Sequence, residues 1–169
     1  MFLDAKPNAA HMKLAELEKC GRLKAVVTQN IDGLHQVAGS RTVYELHGSI
    51  HRNYCQKCGK FFDAAYVKNA EGVPKCDACG GMIKPDVVLY EEALDSDTIQ
   101  KAVQAISESD TLIIGGTSLV VYPAASFIDY FRGKNLVVIN KDATARESEA
   151  ALAIHDAIGK VMEQIKIEC

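Results

Sequence analysis

Four cysteines fall in two pairs, Cys55-x2-Cys58 and Cys76-x2-Cys79, with seventeen residues between the pairs. This is the spacing of four-thiolate zinc sites, and Gly59, Gly80 and Gly81 permit the tight turns that metal knuckles require. A redox centre needs only one Cys-x-x-Cys, placed where a helix follows a strand, whereas here two pairs flank polar turns. Four sulfur ligands leave no open position for water, so zinc bound here is a structural staple and not a Lewis acid. Eight residues before Cys55 stands His47, followed by Gly48 at the end of "VYEL". A histidine so placed is either a general base or, more commonly, a hydrogen-bonded structural residue. Cys20 and Cys169 lie outside the metal spacing and read as a small buried thiol and a terminal one.

A second group of residues follows apolar runs. In open α/β sheets ligands bind beyond the carboxyl ends of the strands. After Val26 and Val27 comes "TQNIDGLH", after Ile113 and Ile114 "GGTSLVVYP", and after Val137, Val138 and Ile139 "NKDAT". Gly115 and Gly116 let the backbone approach a ligand, Thr117 and Ser118 supply hydroxyls, and Asn140 stands where a ribose hydroxyl would need a partner. Glycine-rich turns after strands are common, so "GGTS" alone is a weak signal. In "TQNIDG", Asn30 and Asp32 offer a carboxamide and a carboxylate to one pocket, or an Asx turn closed by Gly33.

These residues need a scaffold, and the rest of the chain supplies one. "LKAVVT", "TLIIGG" and "NLVVIN" are near-continuous apolar runs rich in β-branched residues, the pattern of parallel strands buried on both faces. Between them lie helical patterns: Asn8 caps one that Gly21 ends, residues 98–107 place Ile99, Ala102, Val103 and Ile106 on one face, and residues 123–131 open on a proline. Strand and helix alternate, which predicts a doubly wound α/β sheet. Residues 50–83 break the rhythm with cysteines, glycines and polar residues. The expected organisation is therefore a Rossmann-like unit in two pieces, 1–49 and 84–169, with a zinc-ribbon-like insertion at 50–83.

Bulk properties narrow the function classes. With 169 residues, 48% of them hydrophobic, the chain can bury one sizeable core. Lys and Arg total 19 against 22 Asp and Glu, a balance that gives no electrostatic reason to expect nucleic acid as partner. No apolar run approaches the ~18 to 20 residues of a membrane span, and "MFLDAKPNAAH" has no basic segment followed by an apolar one. A cytoplasmic monomer is expected, and in that reducing compartment paired cysteines suggest metal.

Taken together, "TQNIDGLH", "ELHG", the two cysteine pairs with "CGG", "KPDVVLYEE", "GTSLVVYPAA" and "VINKDAT" occur in the order found in sirtuins of bacterial type, the NAD-dependent protein-lysine deacylases. The chain resembles that family from "PNAAH" to "IGKVM", nearly its whole length. The resemblance implies a zinc module inserted in a Rossmann-type domain, with the catalytic histidine in the cleft between them. It implies that His47 is the general base and that Gln29, Asn30, Ile31 and Asp32 line the nicotinamide-ribose pocket. Gly116, Thr117 and Ser118 would meet phosphate and ribose, and Asn140, Lys141 and Asp142 the adenosine, with Ala157 closing over the adenine. Val87, Val88, Leu89 and Tyr90 resemble the strand that pairs with an acyl-lysine peptide through backbone bonds. The implied co-substrate is NAD, the structural ion Zn2+, and the partners are acylated-lysine proteins. The implied products are free lysine, nicotinamide and acylated ADP-ribose.

Two departures stand out. Where sirtuins commonly read Phe-Gly-Glu, this sequence has Tyr90-Glu91-Glu92, which sets a carboxylate at the rim of the peptide cleft. Sirtuins also carry a strand, a Gly-Ala-Gly-x-Ser loop and a mobile arginine-bearing segment, and nothing in these residues matches it. Met1 thus looks like a start inside the family's pattern, with the first βα unit and its phosphate-binding amides missing and NAD binding impaired. The alternative to a deacylase is a catalytically impaired, zinc-stapled module that binds extended peptides.

Overall fold

The computed structural model describes residues 4–168. Helix α1 (Ala9–Lys19) starts where Asn8 predicts, because the Asn8 side chain accepts the amides of Ala10 at 2.9 Å and His11 at 3.3 Å. It ends on Gly21 (φ 67°), where the Gly21 and Arg22 amides bond back to the Glu18 and Leu17 carbonyls, each at 2.9 Å. That crossed pair needs a left-handed residue, which glycine supplies without a Cβ penalty. Cys20, half-buried at the end of α1, is disulfide-bonded and so is not the free thiol its position suggested; Cys169 lies outside the described residues.

Two parallel sheets carry the α/β part. β1 (Val26–Thr28) pairs with β2 (Val43–Glu45), which is separated from it by the short helix α2 (Leu34–Ala38). β6 (Thr111–Gly115), β7 (Asn135–Ile139) and β8 (Leu152–Ile154) form the second sheet in that order. Between them in sequence lie β3 (Gly48–Cys55), β4 (Phe61–Phe62), α3 (Ala64–Lys68) and β5 (Ile83–Val87), whose strands make an antiparallel sheet in the order β4-β3-β5. Helix α4 (Ser96–Ser107) leads into β6, and α5 (Ile158–Glu163) follows β8.

The expected doubly wound sheet is thus present as two parallel ribbons and not as one continuous sheet. Val27 of β1 and Leu112 of β6 nevertheless pack on one cluster around Ala102, Ile106, Leu46 and Phe127, so α4 underlies both. Among the described residues no strand pairs with the second edge of β1 or of β6. A further core joins α1, α5 and β7 through Ala10, Met162 and Ile139, and a third lies in the cysteine module around Phe62 and Ile83.

Local departures from the expected elements have visible causes. The strand expected over residues 23–28 starts only at Val26, since the Leu23 amide is held by the Leu17 carbonyl of α1. The segment after Pro123 is a 3-10 helix (Ala124–Tyr130), because the Pro123 carbonyl is taken by both the amide and the hydroxyl of Ser126.

Candidate functional site

The cysteine pairs come together as their spacing predicts. The four Sγ atoms of Cys55, Cys58, Cys76 and Cys79 all lie within 4.8 Å of one another. Cys55 and Cys79 are separated by 3.4 Å and Cys58 and Cys76 by 3.6 Å. Ligands at about 2.3 Å around a tetrahedral zinc stand about 3.8 Å apart, so the donor set fits that ion after small movements. Gly81 makes the approach possible, since a Cβ there would meet Cys55 Sγ and Lys57 Cβ at 2.8 Å each. Without a cation the thiols cannot share one protonation state: backbone amides, that of Cys58 first, pull Cys55 down to about 6. Cys79 is pushed up to about 12, because neighbouring sulfurs outweigh the Gly81 amide that favours its thiolate. A divalent metal would remove that conflict by binding all four sulfurs as thiolates, its two positive charges offsetting half of their four negative ones.

His47 lies in the turn between β2 and β3, half-buried, with Nδ1 3.0 Å from the Gln29 carbonyl. A carbonyl only accepts, so Nδ1 carries the proton and Nε2 is left as the basic nitrogen. Parallel pairing of Thr28 with Glu45 is what places the loop after β1 beside the turn after β2. Within that loop Asp32 Oδ1 accepts the Leu34 amide at 3.0 Å, so the Asx turn is real and leaves the second carboxylate oxygen for other partners. Asn30 is exposed and Gln29 and Ile31 half-buried.

The other predicted residues cluster at the carboxyl ends of the second parallel sheet. Gly115 pairs with Ile139 and Ile139 with Ile154, so Gly116, Asn140 and the residues before Ala157 follow neighbouring strands. Gly116 (φ 64°) has open space where a Cβ would stand, its amide bonds to the Ile139 carbonyl at 3.1 Å, and Thr117 Oγ1 accepts from the Leu119 amide. Ser118, Lys141 and Asp142 are exposed, and Asn140 Nδ2 donates to the Asp142 carbonyl at 2.8 Å. Ala157 is the N-cap of α5, whose Ile158 packs so closely on Gly115 that a Cβ there would stand 2.1 Å from Ile158 Cδ1.

The expected substrate strand is shorter than predicted. β5 ends at Val87, and only the Val88 amide continues the pairing, donating to the His47 carbonyl at 3.1 Å. Leu89 is 53% and Tyr90 fully exposed, while the Leu89 amide is taken by the Glu92 carboxylate at 2.9 Å. That bond and Lys84 hold Glu92 below the usual carboxylate range. Glu91, at φ 70°, occupies the left-handed region as a non-glycine.

Sequence reasoning missed Glu45, His51 and Arg52. Arg52 donates from Nη1 to Glu45 Oε2 at 2.7 Å and from Nε to Asp86 Oδ2 at 2.8 Å. Burial alone would lower its pKa, but those two carboxylates outweigh it and raise it. No signal in "ELHGSIHRNYC" marks these residues, because they read as parts of regular strands.

The Sir2 family profile matches residues 1–123. The "NAD-dependent protein deacetylase" of Clostridium acetobutylicum is 67% identical over 166 residues, which cover 98% of this chain and 68% of that protein. The protein of the same name from Clostridium perfringens is 61% identical, with the same coverage. Among solved structures, Sir2 with p53 peptide and NAD+ has a TM-score of 0.89 at 39% identity, covering 96% of this chain and 70% of that one. Sir2 in complex with the inhibitor EX-527, 2'-O-acetyl-ADP-ribose and deacetylated p53 peptide has a TM-score of 0.90 at 40% identity, covering 96% and 72%.

Proposed function

Because the chain belongs to the Sir2 family of NAD-dependent protein deacetylases, we propose that it removes acyl groups from protein lysines, with His47 as general base and NAD as co-substrate. The observation that carries this reading is the pair of bonds at His47: its ring to the Gln29 carbonyl and its own carbonyl to the Val88 amide. One fixes the tautomer with Nε2 basic, and the other ties the base to the backbone that would receive peptide. NAD would supply the electrophilic ribose carbon, with nicotinamide as leaving group, and would take up the acyl group.

The chain's own residues would bind, orient and move a proton. Gln29, Asn30, Ile31 and Asp32 border the ribose next to nicotinamide, and Nε2 of His47 accepts a proton from its hydroxyl. Gly116, Thr117 and Ser118 offer backbone room and hydroxyls to phosphate and ribose, and Asn140, Lys141, Asp142 and Ala157 border the adenosine. Val87, Val88, Leu89 and Tyr90 receive the peptide backbone on the exposed side of β5. Cys55, Cys58, Cys76 and Cys79 would hold zinc as a structural ion, bracing the module at 50–83 against the Rossmann-like portions 1–49 and 84–169. A cytoplasmic monomer without nucleic-acid partners completes the reading, and among the described residues no helix is long and apolar enough to cross a membrane.

A second reading, a zinc-stapled peptide-binding module without turnover, is favoured by the exposure of Leu89 and Tyr90 just after β5, which offers contacts to an extended peptide whether or not NAD binds. Nicotinamide release from NAD in the presence of acetyl-lysine peptide separates the two. Turnover that requires both ligands supports the deacetylase, and saturable peptide binding without release supports the module.

A further inference from the structure

Strand β3 loses register against β5 where it passes the site. Ser49 faces Asp86 and Asn53 faces Pro85, so four steps on β3 answer one step on β5, and residues 50–52 bulge out. Bulges re-aim side chains, and each residue of this one makes at least one bond to an element outside its own sheet. The Ile50 amide donates to the Ile31 carbonyl at 3.0 Å, and His51 Nε2 donates to the Asp32 carbonyl at 2.9 Å. Gly33 leaves the room for that ring, since a Cβ there would stand 2.8 Å from His51 Cδ2. Arg52 bridges Glu45, two residues before His47, and Asp86, one residue before Val87. The bulge is pinned at its far end by Asn53, fully buried, whose Nδ2 donates to the Ile50 and Phe62 carbonyls.

We propose that this bulge is the latch through which the cysteine module sets the site, and that Arg52 is a positioning residue holding the cofactor loop, the base and the peptide strand in one geometry. The side chain of Glu45 is only 7% exposed, and Arg52 is the ion-pair partner it meets there, at 2.7 Å. A planar guanidinium can meet two carboxylates from two edges, which a lysine ammonium cannot do with the same geometry. Cys55 ends the strand from which the latch extends, so zinc held by the four thiols would steady that strand.

The kinetic arm of the test rests on the deacetylase reading, and the exchange and binding arms do not. Arg52→Gln and Arg52→Lys would be compared with the parent chain for zinc content, amide hydrogen exchange at Ile50 and Val88, acetyl-lysine peptide affinity, and kcat and KM. In Arg52→Gln the proposal expects one zinc per chain, roughly tenfold faster exchange at both amides, and peptide affinity lower by about tenfold, the size of a lost charged hydrogen bond. KM for peptide should rise with it, whereas a mere loss of folded protein lowers apparent kcat and leaves KM alone. Arg52→Lys should recover part of the protection. Unchanged exchange and affinity in Arg52→Gln would overturn the latch. Should Arg52→Gln fail to fold, Arg52→Lys decides: parent-like exchange, affinity and KM with only one carboxylate in reach would overturn it, and intermediate values would support it. Absence of turnover in the parent itself counts against the deacetylase reading and leaves the exchange and affinity results to judge Arg52.

Discussion

The Val88 amide donates to the carbonyl of His47 at 3.1 Å, so the residue with the basic nitrogen and the segment expected to receive peptide share one hydrogen bond. The next pair in the register, Gly48 with Val87, draws the two backbones close enough that Gly48 has no room for a side chain. The positions of His47 and of the backbone at Val87 and Val88 are therefore one structural variable.

Gly48→Ala tests that closeness. Gly48 sits at φ 77°, and a Cβ there would stand 1.9 Å from the Asp86 carbonyl oxygen, a backbone atom that cannot turn aside. A left-handed alanine and the forced displacement together predict a loss of about 2 to 4 kcal/mol in urea unfolding. Stability within 0.5 kcal/mol of the parent would mean that the strands separate easily and that the His47–Val88 bond constrains little.

The metal centre gives a second test. Protein purified without chelator should contain one zinc per chain, and Cys76→Ser should lose it, melt the antiparallel sheet and remove any activity. Gly81→Ala keeps all four thiols but sets a methyl 2.8 Å from Cys55 Sγ, so it should weaken zinc retention against a competing chelator. Elemental analysis finding no zinc in the parent would end the assignment.

How much of this could be read beforehand depended on the range of the interaction. The cap at Asn8, the stop at Gly21 and the thiol cluster depend on residues near one another or on a spacing that has one geometric solution, and they were legible. The placement of Gly116 and Asn140 at neighbouring strand ends was legible because each follows the apolar run of a parallel strand. Arg52 and His51 were not. Their roles come from a bulge, and the alternation of "SIHRNY" says nothing of which residue will be left without a partner on β5. The break between β1-β2 and β6-β7-β8 was equally hidden, since a strand's composition does not name its neighbour, and β6, expected to be buried on both faces, instead leaves Ile113 exposed.

Acidification should destabilise the protein through a pair of histidines. The rings of His11 on α1 and His35 on α2 lie 4.6 Å apart, and His35 Nδ1 is buried without a hydrogen-bond partner. Burial lowers both below their ordinary 6.5, the second ring adding repulsion at His35, while Asp32, with Glu45 at His35, opposes the shift only in part. A histidine with a depressed folded pKa contributes stability that is present above 6.5 and lost as pH falls below it, because the unfolded chain takes up the proton first. Partial exposure keeps the effect modest. Urea midpoints should fall between pH 6.5 and 5, and His35→Leu should flatten the slope; an equal slope in the variant would assign it to other groups.

His47→Ala separates the backbone role of this residue from its ring. Truncation removes Nε2, the nitrogen left basic by the bond from Nδ1 to the Gln29 carbonyl, and a lost general base lowers turnover by about 10²- to 10⁴-fold. The carbonyl that accepts the Val88 amide belongs to the main chain, which alanine retains, so β5 should keep its place and acetyl-lysine peptide should bind within about threefold of the parent. Zinc content should not change, since no thiol is touched. Calorimetric titration of peptide beside an assay of deacetylated product reads both halves at once. Retained turnover would remove His47 from the role of base. A collapse of peptide affinity equal to the loss of turnover would instead mean that the ring holds the strand in place, and that the Val88 bond does not suffice to do so.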